Sequence, residues 1–384
     1  MNRHAKRVVL AFLMTTVAGL LSAPIAFYFY DPLMLYHRPW GRQLTFSSDL
    51  RVQAAGIINN FEFDSLILGT SMLQNTSGQK ARALLGGRFV NLSAAAGDPA
   101  ERAIILRRAF EKKDISTVIY SVDAYGREGN PSYPMEEFAY LYDHNPFNDI
   151  RAYYHPKYFR CLLLWSASRE CVGLPGSPEM PASWYRSKSH RQRFGGIDKW
   201  FAAENNRQIR ISLQQVVDAA NNLRLGRRND VPELMLKQEV EATEEYIDKY
   251  ILAFARKHPN TTFHLIMPPY SRLRYAIWYQ LNQLDAYRHE AAIRYLVAAQ
   301  VKLKNIRLYG FEHQDFLDEI ANYKDTGHYH PSINLMMVRS IKQGANLLTA
   351  DVVDEYLAIS RRKALEYDLI GVADEVQSYL MSDP

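Results

Sequence analysis

Cysteine is scarce in this sequence, and the spacings that usually bind zinc or nucleic acids are missing. The chain has 384 residues and 2 cysteines, with no C-x-x-C pair and no cysteine–histidine array, which argues against a zinc site. The net charge of +5 is mild, and no zinc-finger, RRM-like or KH-like motif accompanies it, so we expect no nucleic-acid partner. A mildly basic surface is also compatible with anionic lipid headgroups or an anionic glycan.

Long apolar runs are lacking too, with one exception near the N-terminus. Residues 8–30 contain no charged residue, and about 20 apolar residues are enough for a helix to span a bilayer. Arg3, Lys6 and Arg7 precede this run, and an aromatic cluster at residues 27–30 ends it. This pattern is typical of an inside-to-outside membrane helix. We therefore predict a single-pass anchor in the inner (cytoplasmic) membrane.

A cleaved signal peptide is the alternative interpretation of the apolar run. A cut after Ala23 would place Leu21 at the third position back and Pro24 just beyond the cut, which is a poor cleavage site. The uncleaved anchor is therefore preferred. With either interpretation the rest of the chain is expected outside the cytoplasm, in an extracytoplasmic or periplasmic location.

The two cysteines, Cys161 and Cys171, lie ten positions apart. In an oxidising compartment such a pair can close a short loop through a disulfide. Two free buried thiols remain the alternative, because spacing alone does not show that the Cα atoms approach closely enough.

Strand-forming and helix-forming segments alternate on both sides of a long irregular stretch. Strands are predicted at residues 65–69, 88–93, 116–125, 261–269 and 305–311. Helices are predicted at residues 51–60, 76–85, 100–112, 239–257, 281–302 and 334–348. Such alternation favours an α/β fold in which helices cover both faces of a parallel sheet.

The irregular stretch interrupts the sheet domain and is predicted to be a large insertion of helices and loops. The predicted segments are a cytoplasmic stub and anchor (1–30), a connector (31–50), two parts of the sheet domain (51–125 and 236–350), the insertion between them (126–235) and a helical tail (351–384). The insertion contains a basic run that is either a solvated loop or a contact for an anionic ligand or lipid. Its charged residues are Arg186, Lys188, Arg191 and Arg193.

Three candidate functional residues follow the first three predicted strands. Ser71 comes just after the first strand, Gly97 lies in the loop after the second, and Asp123 ends the third. In doubly wound sheets ligands bind beyond the carboxyl ends of the strands. Ser71 taken alone could equally be a helix cap.

A late D-x-x-H sequence changes that balance, because it supplies Asp325 and His328 after the fifth predicted strand. A serine hydroxyl needs a general base within hydrogen-bond reach. An imidazole oriented by a carboxylate provides one near neutral pH. We therefore predict a catalytic triad of Ser71, His328 and Asp325; the alternative is that Asp325 caps a helix and His328 packs. His330 forms H-x-H with His328, a weak metal pattern, and is more simply interpreted as lining the site, so no metal or cofactor is predicted.

These motifs resemble those of the SGNH (GDSL-like) hydrolase superfamily. "LILGTSML" is similar to its first block, with Ser71 as nucleophile, and D-x-x-H is similar to its last block. The resemblance implies a flavodoxin-like three-layer sandwich with a five-stranded parallel sheet. It also implies an oxyanion hole formed by the backbone N–H groups of Ser71 and Gly97. Asp123 at its strand end and His330 beside the D-x-x-H sequence are predicted to bind substrate because of their positions, with a surface role as the alternative for His330.

The resemblance covers residues 65–125 and 264–348 and departs from the family in two places. Thr70 stands where the family has an aspartate before the nucleophile. The G-x-N-D block after the third strand is replaced by "SVDAYG", so the asparagine that would donate to the oxyanion is unassigned.

Within the superfamily, the anchor together with the first and last motifs looks most like membrane-anchored cell-envelope O-acyltransferases. The D-alanyl transfer protein of lipoteichoic acid synthesis and the O-acetyltransferases of exported polysaccharides are similar. The resemblance implies a serine acyltransferase or esterase with an acyl donor, a glycan or polyol acceptor and a multispanning membrane O-acyltransferase as partner. The alternative is a non-catalytic assembly or glycan-binding subunit on the same fold.

Overall fold

Five parallel strands form the central sheet of the protein, as seen in a computed structural model that describes residues 3–123, 134–203, 207–227 and 231–382. The strands of the described chain are β1 (Thr45–Phe46), β2 (Ser65–Leu68), β3 (Phe89–Asn91), β4 (Thr117–Ser121), β5 (Leu174–Pro175), β6 (Thr262–Ile266) and β7 (Ile306–Tyr309). The central sheet has the order β3-β2-β4-β6-β7, while β1 and β5 form a separate antiparallel pair. The α/β architecture with a five-stranded parallel sheet is thus confirmed.

The strand order is that of doubly wound folds of the flavodoxin type. Numbered within the central sheet alone, the order is 2-1-3-4-5, which reverses direction between β2 and β4. The end of the predicted third strand, residues 124–125, lies outside the described residues. So does the rest of the "SVDAYG" segment after Asp123.

Helices connect the strands and cover the sheet. They are α1 (Arg3–Tyr30), α2 (Leu50–Asn60), α3 (Gly78–Leu85), α4 (Pro99–Lys112), α5 (Pro156–Leu163), α6 (Arg169–Val172), α7 (Lys188–Arg191), α8 (Ile197–Phe201), α9 (Arg207–Arg224), α10 (Glu233–Ile247), α11 (Ala253–Lys257), α12 (Arg272–Gln280), α13 (Gln283–Lys302), α14 (Pro331–Gln343), α15 (Val353–Glu366) and α16 (Leu369–Ser382). A π-helical turn, Asp248–Leu252, joins α10 to α11.

Several helix boundaries follow from capping residues. Asp98 accepts a hydrogen bond from Glu101 N at the start of α4, and Pro99 occupies its first turn. The helix α14 begins at Pro331, earlier than the predicted residue 334, and ends before Gly344, which has a left-handed backbone (φ 65°).

The predictions differ from the structure mainly around the insertion and α12. No helix was predicted between residues 270 and 280, where α12 lies, because two prolines precede it and its sequence lacks a clear apolar period. The helix predicted at 239–257 begins six residues earlier, as α10. The insertion also contributes β5, a strand too short to leave a pattern in the sequence.

The two faces of the sheet bury separate apolar cores. Along β2, Leu66 and Leu68 belong to one core and Ile67 to the other, as the alternation of side chains in a strand requires. The first core includes residues of α2, α4, α13 and α15, and the second includes residues of α9, α12, α14 and α16. The insertion supplies Tyr153 to the first core and Trp200 to the second, so it packs as part of the same body.

The helix α1 is long and apolar enough to cross a membrane, from Ala5 to Tyr30, and its most apolar window has no buried residues. Its last turns are different. Phe27 is buried and its ring stacks on Tyr153 at 5.3 Å, and Tyr30 Oη donates to Ser166 O at 2.5 Å. The end of α1 is therefore packed into the globular part of the chain.

The structure joins Cys161 and Cys171 in a disulfide, with their Cα atoms 5.6 Å apart. The bond links the end of α5 to α6, and both cysteines are buried in the first core. A bridge of this kind stabilises the fold mainly by restricting the unfolded chain.

Candidate active site

Ser71 lies on a turn directly after β2, at the carboxyl edge of the sheet. Gly69 precedes it, and a Cβ at position 69 would collide with the Ser121 side chain of the neighbouring strand β4. Glycine is therefore required for the loop after β2 to pass so close to β4. This is the point where the strand order reverses, which is where doubly wound sheets form their ligand-binding crevice.

Ser71, His328 and Asp325 form a continuous hydrogen-bonded row. Ser71 Oγ lies 2.8 Å from His328 Nε2, and His328 Nδ1 lies 2.9 Å from both carboxylate oxygens of Asp325. These distances are within the reach that proton transfer requires. The three predicted residues are thus brought together, although Ser71 and His328 are 257 positions apart in the chain.

The carboxylate of Asp325 is held by more than the histidine. Its Oδ1 accepts hydrogen bonds from Gly327 N at 2.9 Å and His328 N at 2.8 Å, and its Oδ2 contacts Lys324 Nζ at 2.9 Å. Burial by itself would raise the pKa of Asp325, but His328 and Lys324 hold that pKa well below its usual value. Asp325 is therefore ionised at neutral pH and accepts a hydrogen bond from His328 Nδ1–H.

Lys324 is the second cation beside this carboxylate and was not predicted. Burial lowers its pKa while Asp325 acts in the opposite direction. Its Nζ also lies 4.8 Å from the centre of the Trp184 ring. The sequence did contain one indication that Lys324 belongs to the site: this residue directly precedes the D-x-x-H sequence.

Asp123 lies beneath the nucleophile turn. It accepts hydrogen bonds from Thr70 Oγ1 at 2.5 Å and Ser121 Oγ at 2.8 Å, and it pairs with the buried Arg102 at 3.4 Å. Thr70 Oγ1 in turn accepts from Met72 N at 3.2 Å. The carboxylate predicted to bind substrate thus lines the cavity but has both oxygens occupied by the protein. A hydroxyl at position 70 and a carboxylate two residues after the end of β4 together hold the turn that follows β2.

Gly97 does not present its N–H group to the site. That group donates to Ala94 O at 3.1 Å within a turn, and it is Ala95 and Ala96 of this loop that line the cavity. Ser71 N, by contrast, donates to no acceptor within the part of the chain that the structure describes. Of the two predicted oxyanion donors, the Ser71 N–H group is available to a ligand, and the Gly97 N–H group is already hydrogen-bonded to Ala94 O.

His330 is placed beside the site and not in it. Its Nε2 lies 2.9 Å from Tyr185 Oη, and its Nδ1 accepts a hydrogen bond from Ser332 N at the start of α14. The residue does not line the cavity that contains Ser71. Among the described residues there is no group of three or more histidine, cysteine, aspartate or glutamate side chains placed to hold a metal ion.

The insertion contributes Trp184 to the site. Its Nε1 donates to Ser71 O at 2.8 Å, and its ring lies 5.6 Å from the ring of His328 at an angle of 85°. In the basic run after it, Lys188 and Arg191 are exposed, as a solvated loop would have them, and Arg186, Arg191 and Arg193 each donate to backbone carbonyls of the insertion. These arginines therefore hold the segment that positions Trp184.

A cavity of about 630 Å³ opens over Ser71 and His328, a size suited to a small ligand or part of a larger one. Most side chains that line this cavity were not predicted from the sequence. These side chains include Trp184, Tyr270, Arg274, Trp278 and Lys324. Apart from the position of Lys324, nothing in the sequence pattern distinguishes them from other aromatic and basic residues.

Comparison of the chain with known protein families, with curated proteins and with solved structures finds no match. What can be stated rests on the structure itself. The chain is an α/β protein with a five-stranded parallel sheet, and a serine, a histidine and an aspartate meet in hydrogen-bond contact at its switch point.

Proposed function

We propose that this protein is a membrane-anchored serine acyltransferase or esterase of the SGNH type that acts outside the cytoplasm on O-acyl groups of a cell-envelope or exported polysaccharide. The main observation behind the proposal is the hydrogen-bonded row from Ser71 Oγ through His328 to Asp325, with contacts of 2.8 Å and 2.9 Å. The same constellation performs acyl transfer on several unrelated folds.

In the first half of the reaction, Ser71 Oγ attacks the carbonyl carbon of an acyl ester while His328 Nε2 takes the serine proton. Collapse of the tetrahedral intermediate breaks the ester C–O bond, and His328 returns the proton to the leaving alcohol. Asp325 stabilises the imidazolium that exists between these steps. The product is an acyl-serine and a free alcohol.

In the second half, a hydroxyl group of a glycan or polyol gives its proton to His328 and attacks the acyl-serine. The acyl group passes to that oxygen, and Ser71 Oγ recovers its proton. Water in place of the hydroxyl gives hydrolysis. A multispanning membrane O-acyltransferase is the proposed source of acyl groups on the outer side of the membrane.

The anchor proposal is supported by the charge pattern and by the packing of α1. Basic residues precede the apolar helix, and two residues of its aromatic end, Phe27 and Tyr30, are buried against Tyr153 and Ser166. A disulfide in the same region suits an oxidising compartment. Together these features favour a globular part held close to the outer surface of the inner membrane.

One observation favours the second candidate, a non-catalytic assembly or glycan-binding subunit. The Gly97 N–H group is engaged with Ala94 O, and removing one oxyanion donor typically costs about 10²–10³ in rate. Catalysis by this site therefore requires that turn to open or another donor to replace it.

A fluorophosphonate probe tests the proposal directly, because it reacts with an activated serine. The full-length protein in detergent should be labelled on the peptide containing Ser71, and Ser71→Ala should abolish labelling without lowering the melting temperature. Ser378→Ala, at an exposed position on α16, is the matched control and should label normally. A folded wild-type protein that takes no label would instead support the non-catalytic subunit.

Transfer and hydrolysis are then separated by their products. The active protein is incubated with an acyl ester and a glycan acceptor, and released acid is counted against acylated glycan. An excess of acylated glycan identifies a transferase, and free acid alone identifies an esterase.

A further inference from the structure

Two arginines on the helix α12 are used in opposite ways. Arg272 is fully buried and pairs with Asp318 at 2.7 Å, while its other nitrogens donate to Glu312 O and Gln314 O. Arg274 points into the cavity above Ser71. Within the described residues it forms no ion pair, and its buried Nε has no hydrogen-bond partner.

The other cations of the cavity are already neutralised. Lys324 contacts Asp325, and Arg288 pairs with Glu239 and, at 3.9 Å, with Asp285. Arg274 is thus the exception among the lysines and arginines that line the described cavity. Asp285 of the same cavity is close enough for Arg274 to affect its pKa, which burial raises and the charges of Arg288 and Arg274 lower, but within the described residues the two groups form no ion pair. A half-buried guanidinium without a carboxylate in contact is costly to maintain, and a bound anion would reduce that cost.

Aromatic rings hold the Arg274 guanidinium in place. Its Cζ lies 5.0 Å from the centre of the Tyr270 ring and 5.5 Å from that of Trp278. Rings contact a guanidinium through its charge, and they leave its N–H groups able to bind a planar or tetrahedral oxyanion in a bidentate manner. The arginine is therefore orientated before any ligand arrives.

The position of Arg274 connects this charge to the reacting atoms. A Cβ placed on Gly327 would lie 3.8 Å from Arg274 Nη1 and 3.5 Å from the Tyr270 ring. Gly327 belongs to the turn between Asp325 and His328, so an anion bound at Arg274 would lie beside that turn.

We propose that the cavity binds a negatively charged ligand, a glycan or polyol with a carboxylate or phosphate group, and that Arg274 binds this group. The inference rests on the proposed function in one respect: the hydroxyl or acyl ester of the same ligand is the group that reaches Ser71. Uronic acids and polyol phosphates share the required chemistry, and the experiment below separates them.

Binding is measured by calorimetry on the full-length Ser71→Ala protein in detergent, which cannot turn the ligand over. The probes are a glucuronic-acid disaccharide, its neutral glucose counterpart and glycerol 3-phosphate. We expect one of the two acids to bind more tightly than the neutral sugar, with an affinity that falls as salt rises. The acid that binds identifies the source of the charge as carboxylate or phosphate.

The second part of the experiment repeats the binding measurement with Arg274 substituted. Adding Arg274→Gln should weaken binding of that acid by about 10- to 100-fold and leave the neutral sugar unaffected. Arg274→Lys should restore binding only in part, because lysine lacks the planar fork. Arg210→Gln, which removes an exposed arginine of α9, is the charge control and should bind like the parent.

The outcomes of this experiment are independent of the proposed function. Equal binding of acid and neutral sugar, no binding of either acid at millimolar concentration, or acid binding that survives Arg274→Gln would each overturn the inference. Fluorophosphonate labelling of Ser71 in the Arg274→Gln protein should persist, since the probe needs only the triad. Loss of labelling in the wild-type protein would reject the proposed enzyme while leaving arginine-dependent anion binding to be judged by calorimetry.

Discussion

In the part of the chain that the structure describes, two histidine–carboxylate pairs border the same cavity, and the histidine of one pair contacts a serine. His328 contacts Asp325 at 2.9 Å, and His289 contacts Glu312 at 3.0 Å. The His328 side chain is 18% exposed, whereas that of His289 is 4% exposed. The two pairs are alike in chemistry and differ in access.

The hydroxyl groups around the two pairs also differ. Ser71 Oγ meets His328 on the cavity side. Glu312, by contrast, accepts from the phenols of Tyr275 and Tyr356, and burial followed by the charge of Glu312 raises the pKa of both phenols well above 10.0. Those phenols stay protonated and buried, so they bind the carboxylate and offer no nucleophile.

The comparison indicates that a histidine–carboxylate pair is not in itself a sign of catalysis. The His289–Glu312 pair joins α13 to the segment after β7 and stabilises the packing of these elements. Both histidines line the cavity. The His328–Asp325 pair becomes a candidate catalytic unit because its more exposed histidine contacts the strand-end hydroxyl of Ser71. The predictions that follow contrast the two pairs.

The largest contrast is expected between the two histidines. His328→Ala should lower acyl-ester turnover by about 10⁶-fold, because the serine loses its general base, and should change the unfolding free energy little. His289→Ala should lower the unfolding free energy by about 3 kcal/mol, because it leaves the buried Glu312 without its histidine partner. Turnover assays and urea unfolding of both variants measure this, and equal losses of turnover would contradict it.

Substitutions of the two carboxylates should show the same contrast as those of the histidines, with smaller effects on turnover and on stability. Asp325→Asn should reduce turnover by about 10³–10⁴-fold, because an amide does not fix the histidine tautomer that the serine needs. Glu312→Gln should lower stability by about 1–3 kcal/mol with little change in turnover. Measured rates of Asp325→Asn close to wild type would remove Asp325 from the catalytic unit.

A smaller effect is expected from the support beneath Ser71. Thr70→Val removes the hydrogen bond to Asp123 and the acceptor for Met72 N while keeping the side-chain shape. A slight displacement of the nucleophile should reduce turnover by about 10- to 100-fold, whereas fluorophosphonate labelling of Ser71 should continue at a lower rate. Unchanged turnover would show that the turn is held by other contacts.

The smallest effect concerns acid stability. The pKa of Asp325 is lower in the folded protein than in the unfolded chain, so its stabilisation is present above the unfolded pKa and is lost as pH falls through the folded pKa. Lys324→Met removes one of the two cations that lower this pKa. The loss of stability on acidification should therefore begin at a higher pH than in wild type, as followed by circular dichroism during acid titration. Lys80→Met, at an exposed lysine of α3, should not shift it.

Much of the central sheet could be predicted, because its strands are buried on both faces. Segments such as residues 66–68 are continuous apolar runs, and that pattern is visible without any partner. The helix α12 was missed for the opposite reason. Arg272 of this helix is buried and Arg274 lines the cavity, although arginine is a residue type that is normally expected on the surface.

The candidate site was predictable where its contacts are local in the chain. Asp325 and His328 are three positions apart, so one turn can bring the carboxylate to the ring. The role of Gly97 was not predictable in this way, since the direction of its N–H group depends on the turn that includes Ala94. The role of Trp184 could not be predicted either, because Trp184 and Ser71, whose backbone carbonyl it contacts, are 113 positions apart in the chain.

The sequence by itself determined the apolar N-terminal helix, the alternation of strands and helices, and the local aspartate–histidine pair, because each depends on residues that are close along the chain. Tertiary structure alone decided that Ser71 meets His328, that Asp123 supports the turn that holds Ser71 and that Arg274 forms no ion pair within the described residues. These contacts depend on strand order and on the packing of the insertion against the carboxyl edge of the sheet. Patterns of residues that are close along the sequence predict neither of these two features.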